Sequence, residues 1–172
     1  MNLQSNDFEL FGVPERFAQD RAALDARWKD LQKEAHPDKF AAQGVAAQRV
    51  AMQWSVRINE AYQRLKDPLR RAAYLCELHG APIQAHDNTA MPPAFLMQQM
   101  EWREALEDAS TSAAVDALED EVMQARKAGL AQCEALIDQQ GDYPAAAQQV
   151  RALMFIARFA DDIDRRREQL GQ

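Results

Sequence analysis

The sequence predicts an all-α protein, and two observations carry that expectation. Gly (6) and Pro (7) are scarce over 172 residues, while the helix formers Ala, Gln, Leu, Glu and Arg abound. Between the few Pro and Gly positions, apolar residues recur at helical spacing, three or four apart. Hydrophobic residues make up 47% and charged residues 27%, as in ordinary globular chains. A chain of this length can bury roughly 70% of its unfolded surface without disulfide or metal support.

The elements follow in order. Asp7–Phe11 reads as a short helical turn before Gly12 and Pro14. Asp20 is placed to cap a helix that runs to about Ala35, with Leu24, Trp28, Leu31 and Ala35 as its inner stripe. Lys29 and Lys33 fall opposite that stripe and should face solvent. Pro37 ends the helix, and a loop from His36 to about Gly44 follows. The next helix spans about Val45–Lys66, with Val50, Trp54, Ile58, Ala61 and Leu65 inside and Tyr62 at the margin. After Asp67–Pro68, Leu69–His79 is a shorter helix, with Gly80 suited to its C′ position.

Ala81–Pro93, with Pro82, His86, Asp87, Asn88, Pro92 and Pro93, reads as an interdomain linker. His86–Asp87 could suggest a metal pair, but no further histidine lies nearby, and a solvated loop is expected. Three more helices are expected at about Ala94–Ala109, Ala113–Gln139 and Pro144–Leu170. The layout is thus an N-terminal four-helix unit (1–80), a linker (81–93) and a C-terminal three-helix bundle (94–172).

Several function classes fall away. The net charge of −7 opposes binding led by nucleic-acid phosphates. No apolar run approaches the ~18 residues that span a bilayer, and the first twelve residues lack a signal-peptide pattern. The expectation is a soluble, cytoplasmic protein with no nucleic-acid or membrane partner. Cys76 and Cys133 form no Cys-x-x-Cys pair and sit on core stripes, so neither a zinc site nor a cluster is expected. A reducing compartment is simpler than a disulfide between them. No cofactor is implied.

His36-Pro37-Asp38 lies in the loop between two amphipathic helices. By itself the tripeptide also fits a plain turn, with Pro stopping a helix and Asp capping the next segment. Downstream stands Asn59-Glu60-Ala61-Tyr62-Gln63-Arg64-Leu65-Lys66-Asp67-Pro68-Leu69-Arg70-Arg71-Ala72-Ala73-Tyr74. Together these resemble the J-domain, the module that stimulates ATP hydrolysis by DnaK-type chaperones. The resemblance implies that His36, Pro37 and Asp38 dock on the partner ATPase. It also implies that Lys29, Lys33 and Lys39 steer the approach to an acidic surface, with Arg27 a weaker candidate. Asp25 and Asp30 interrupt the usual basic pattern, which implies selectivity for a particular chaperone. A hydrolase built on His36 and Asp38 is the rival from the enzyme class, but no nucleophile or third ligand can be picked out.

On the first C-terminal helix, Phe95, Trp102, Leu106 and Ala109 share one side, spaced 7, 4 and 3, enough to face a core. Leu96, Met97 and Met100 share another, fringed by Glu101, Glu104 and Asp108. The pattern alone fits either an interface or a helix buried on two sides. The full layout, including Phe8-x-Leu10-Phe11-Gly12 and Leu75-x-x-Leu78-His79-Gly80, is similar to the HscB family, the J-proteins dedicated to iron–sulfur cluster biogenesis. That resemblance implies a non-enzymatic co-chaperone. It would stimulate an HscA-type ATPase and deliver the IscU scaffold to it. The implied client-binding residues are Leu96, Met97, Met100, Glu101, Glu104 and Asp108, with Phe155 on the last helix. The alternative within this class is a J-protein that serves a DnaK-type chaperone and a different client.

Charge divides along the chain. Residues 1–75 hold 12 basic and 10 acidic residues, and residues 76–172 hold 8 and 17. The first part is therefore mildly basic and the second strongly acidic.

Overall fold

A computed structural model describes residues 2–84 and 89–171, so His86 and Asp87 lie outside the described residues. The described residues form seven α-helices and no strand: α1 (Asp7–Phe11), α2 (Arg21–Ala35), α3 (Val45–Lys66), α4 (Pro68–Leu78), α5 (Pro93–Asp108), α6 (Ser112–Glu134) and α7 (Tyr143–Gly171). Two compact units are formed, Met1–Tyr74 and Leu75–Gln172, and the division falls within α4.

In the first unit, α2 starts where Asp20 accepts hydrogen bonds from the amides of Ala22 (3.0 Å) and Ala23 (3.4 Å). It pairs with α3 in antiparallel fashion, as the rungs show: Tyr62 reaches Asp25, Trp28 reaches Asn59, and Ser55 reaches Gln32. Leu24 and Leu31 of α2 and Ile58, Ala61 and Leu65 of α3 are buried between them. Trp28 lies parallel to Tyr62, with ring centroids 4.8 Å apart. From α1, Phe8, Leu10 and Phe11 complete this core.

Two expectations change here. Val50 is 50% exposed, and Ala51 is buried in its place. A 50–54–58 register advances 400° per four-residue step, so over two steps it drifts about 80° from the buried line through Ile58. Ala51, seven residues before Ile58, stays within about 20° of that line. The expected loop after α2 is in fact a 3₁₀ helix, Pro37–Gln43. Proline at its first position has no amide to leave unpaired, and the Lys39 amide donates to the His36 carbonyl at 3.0 Å.

The helix α4 ends in a Schellman motif. The Ala81 amide donates to the Cys76 carbonyl (2.8 Å) and the Gly80 amide to that of Glu77 (3.2 Å). Gly80 adopts φ +78°, which a side chain would penalise.

In the second unit α6 and α7 are antiparallel: Gly129 faces Leu153, while Asp116 and Glu119 face Arg167. A Cβ at Gly129 would stand 2.9 Å from Leu153 Cδ2, so the glycine permits the close approach. Their core includes Val115, Leu118, Val122, Val150, Ile156 and Ile163. The helix expected to run unbroken to Gln139 widens into a π-helical turn at Ala135–Gln139, closed by the Gln140 amide on the Ala135 carbonyl (3.0 Å). The wider turn lets the adjacent Leu136 and Ile137 both be buried. On this hairpin α5 rests through Trp102, stacked on Phe159 at 5.9 Å, and Phe95, edge-on to Phe155 at 5.7 Å.

Arg151 of α7 is buried and donates to the carbonyls of Ile83 (2.9 Å), Ala90 (2.9 Å) and Pro82 (3.3 Å). Part of the stretch expected as a linker is therefore held against α7.

Candidate functional site

The His-Pro-Asp loop sits where the antiparallel pair turns. The Asp38 and His36 side chains are 92% and 57% exposed. The turn is organised from within: His36 Nδ1 accepts from the Asp38 amide at 3.2 Å and stands 3.7 Å from Asp38 Oδ2. Lys29, Lys33 and Lys39 are all exposed. They occupy α2 and the 3₁₀ segment, so the basic face leads toward the loop within one unit.

The structure explains one of the two acids that interrupt this face. Asp25 accepts from the Tyr62 hydroxyl at 2.5 Å and from Arg21 Nε at 3.0 Å. The hydrogen bond from Tyr62, then that from Arg21, holds its carboxyl below the usual range. The same bond to Asp25 and partial burial push the Tyr62 hydroxyl up. Asp25 is thus paired within the hairpin, with 41% of its side chain still exposed, whereas Asp30 is exposed and has no such pairing role among the described residues.

Beside the loop, Leu31, Ala35, Phe40, Ala47, Val50 and Trp54 line part of a cavity of ≈ 570 Å³. Sequence reasoning assigned Val50 to the core and so missed this opening. Its signal was the four-residue register of the stripe, which drifts off the buried line.

The second candidate surface lies on α5. Leu96, Met97 and Met100 are 53%, 65% and 65% exposed, although they flank the buried Trp102. Glu101, Glu104 and Asp108 are exposed around them. The helix is therefore two-faced, and within its own unit the apolar cluster is uncovered. Phe155 differs from the others: only 7% of it is exposed, beneath α5. It is stacked on Phe159 at 5.8 Å, and the Arg103 guanidinium lies over its ring at 5.3 Å.

Both cysteines are fully buried. Burial pushes the Cys76 thiol up to about 11, and Cys133 up to about 12, helped by its proximity to Cys76. Thiols held protonated are poor metal ligands. Among the described residues no cluster of His, Cys, Asp and Glu could hold a metal ion. No helix among them is long and apolar enough to cross a membrane.

A helical hairpin that presents His-Pro-Asp at its turn, followed by a separate helical unit, defines a J-domain joined to a C-terminal helical domain. Similar chains carry the same architecture. The HSCB C-terminal oligomerisation domain family matches residues 91–164. The co-chaperone protein HscB homologues of Burkholderia multivorans and Burkholderia thailandensis are each 50% identical to this chain, over 99% of it and 98% of their own length. Chaperone HscB from Vibrio cholerae superposes with a TM-score of 0.81 at 40% identity, covering 96% of this chain and 99% of that one. Human co-chaperone protein HscB superposes with a TM-score of 0.84 at 26% identity, covering 95% and 83%. The chain belongs to the HscB co-chaperone family. It is a co-chaperone homologue of a non-enzymatic family, which implies a chaperone partner.

Proposed function

We propose that this co-chaperone stimulates the ATPase of an HscA-type chaperone and delivers an IscU-type scaffold to it, promoting iron–sulfur cluster transfer and protein maturation. The observation that carries the reading is the pairing of two exposed surfaces of different chemistry. One is the His36-Pro37-Asp38 turn beside a basic helix face, and the other an apolar, acid-fringed face on α5.

On the first surface, Pro37 fixes the backbone of the turn, and His36 and Asp38 supply polar contacts. Lys29, Lys33 and Lys39 attract an acidic surface of the ATPase and speed encounter. On the second, Leu96, Met97 and Met100 bury apolar area against the scaffold, while Glu101, Glu104 and Asp108 select a basic counterpart. Methionine suits such a contact because its unbranched side chain adapts. Phe155 enters this surface mainly as the support beneath α5, with only a sliver of the ring available for contact. Holding scaffold and ATPase on one chain raises their effective concentration. A DnaK-type chaperone with another client is the alternative pairing.

The test is steady-state ATP hydrolysis by HscA-type and DnaK-type chaperones, each with and without this protein and an IscU-type scaffold. Stimulation of the HscA-type enzyme, raised further by the scaffold, is expected. Preferential stimulation of the DnaK-type enzyme, with no scaffold effect, would replace the reading by its alternative.

A further inference from the structure

The His36 imidazole has an inward and an outward nitrogen, and the structure shows what each can do. Nδ1 points back into the turn and accepts the Asp38 amide at 3.2 Å, as the N-cap of the 3₁₀ helix Pro37–Gln43. An amide always carries its hydrogen, so an acceptor facing it must hold a free lone pair. In the neutral ring the proton then resides on Nε2, which becomes a donor. The His36 side chain is 57% exposed, leaving room for that outer edge to meet a partner. The Asp38 carboxylate is 92% exposed, and its Oδ2 stands 3.7 Å from His36 Nδ1, too far for a hydrogen bond, so its own backbone chiefly orients it. That backbone is fixed at three points: the ring of Pro37, the Asp38 amide bond to His36 Nδ1, and the Lys39 amide bond to the His36 carbonyl at 3.0 Å.

We propose that His36 is a positioning residue for Asp38: its Nδ1 caps the Asp38 amide and holds the exposed carboxylate ready for docking, while Nε2–H is the group left for the partner. The inference rests on the reading that this turn docks on an ATPase chaperone, and it assigns the two ring nitrogens separate duties. Side-chain reach separates those duties. Asparagine carries its oxygen at the δ position, where Nδ1 stands, and asparagine is among the best helix-capping residues. Glutamine carries its amide one bond farther out, near the place of Nε2, and cannot make the same cap. An asparagine therefore retains the positioning function without the outer donor, and a glutamine the reverse.

The experiment uses the full chain in three forms: wild type, His36→Asn and His36→Gln. Stimulation of an HscA-type ATPase is titrated to give the half-saturating concentration and the maximal rate. Nitrogen NMR of the free wild-type chain at pH 8 reads the ring tautomer, and the Asp38 amide shift reads the cap in all three. The expected result is a neutral ring protonated at Nε2. The Asp38 amide shift is retained in His36→Asn and lost in His36→Gln. His36→Gln should raise the half-saturating concentration ~5-fold over wild type, the loss expected of a typical missing cap, and His36→Asn should raise it through the missing outer donor while keeping the Asp38 amide shift. A ring protonated at Nδ1, an Asp38 amide shift kept in His36→Gln, or wild-type stimulation by either variant overturns the inference. Failure of the wild-type chain to stimulate any chaperone overturns the docking reading instead, while the tautomer and the amide shift are still read on the free chain.

Discussion

Arg64 grips the Asp7 carboxylate with Nε at 2.6 Å and Nη2 at 2.9 Å, across 57 positions of sequence. Asp7 is completely buried, and Arg57 Nη1 stands 2.8 Å from its Oδ1 while the same guanidinium donates to the carbonyls of Leu3 and Ser5. The Asp7 amide donates to the Tyr74 hydroxyl oxygen at 3.0 Å. One carboxylate thus ties the N-terminal segment, α3 and α4 together. The hydrogen bond to Asp7 holds the Arg64 guanidinium above its ordinary value. Asp7→Ala leaves two arginines facing an empty site and should cost about 3–5 kcal/mol. Denaturant unfolding of the full chain measures it, and a loss below about 1 kcal/mol would show that water replaces the carboxylate.

The proposed client face on α5 carries no such structural duty. Met97 and Met100 are each 65% exposed, so Met97→Ala with Met100→Ala should shift stability by less than about 0.5 kcal/mol. Affinity for an IscU-type scaffold should fall at least roughly tenfold, as about 1.5–3 kcal/mol of burial per methionine is forgone. Calorimetric titration checks the affinity, and an unchanged value would remove these residues from the site.

Arg151 makes a different prediction. Its guanidinium satisfies three carbonyls on either side of residues 85–88, and no ion pair accompanies those bonds among the described residues. Arg151→Leu should cost about 2–4 kcal/mol because three carbonyls lose a charged donor. Thermal unfolding of the full chain measures it, and an unchanged midpoint would mean that the three carbonyls find other donors.

The cysteines predict behaviour at high pH. Their thiols are raised from an ordinary value of 9.0 to about 11 and about 12. The fold therefore favours the protonated form. Stability from these groups is present in full below pH 9 and is lost as the pH climbs through about 11 to 12. At pH 8 a thiol reagent should label neither cysteine in the native chain and both after unfolding. Labelling of the native chain would show local opening at the end of α4 or α6.

The sequence alone determined the helices, their approximate bounds, the His-Pro-Asp turn and the two faces of α5. Each of these is written within a few turns of chain: a stripe three or four residues apart, a Pro that stops a helix, a Gly that closes one. Relations between distant residues were not legible in this way. Nothing in a single sequence marks Asp7 as the partner of Arg64, or Arg151 as the donor to Pro82, Ile83 and Ala90, because many arginines and acids lie within the same distance along the chain. Burial of Phe155 was equally hidden, since its helical position suits either the core or a margin until α5 is laid across it.

The 3₁₀ segment after Pro37 and the π-helical turn at Ala135–Gln139 were decided by tertiary structure too, by where the chain had to turn and which neighbours had to be buried. Composition and periodicity specify local structure because they act through neighbouring residues. Pairing of buried charges, exact burial and the fine pitch of a turn depend on which surfaces meet, and only the folded chain brings those surfaces together.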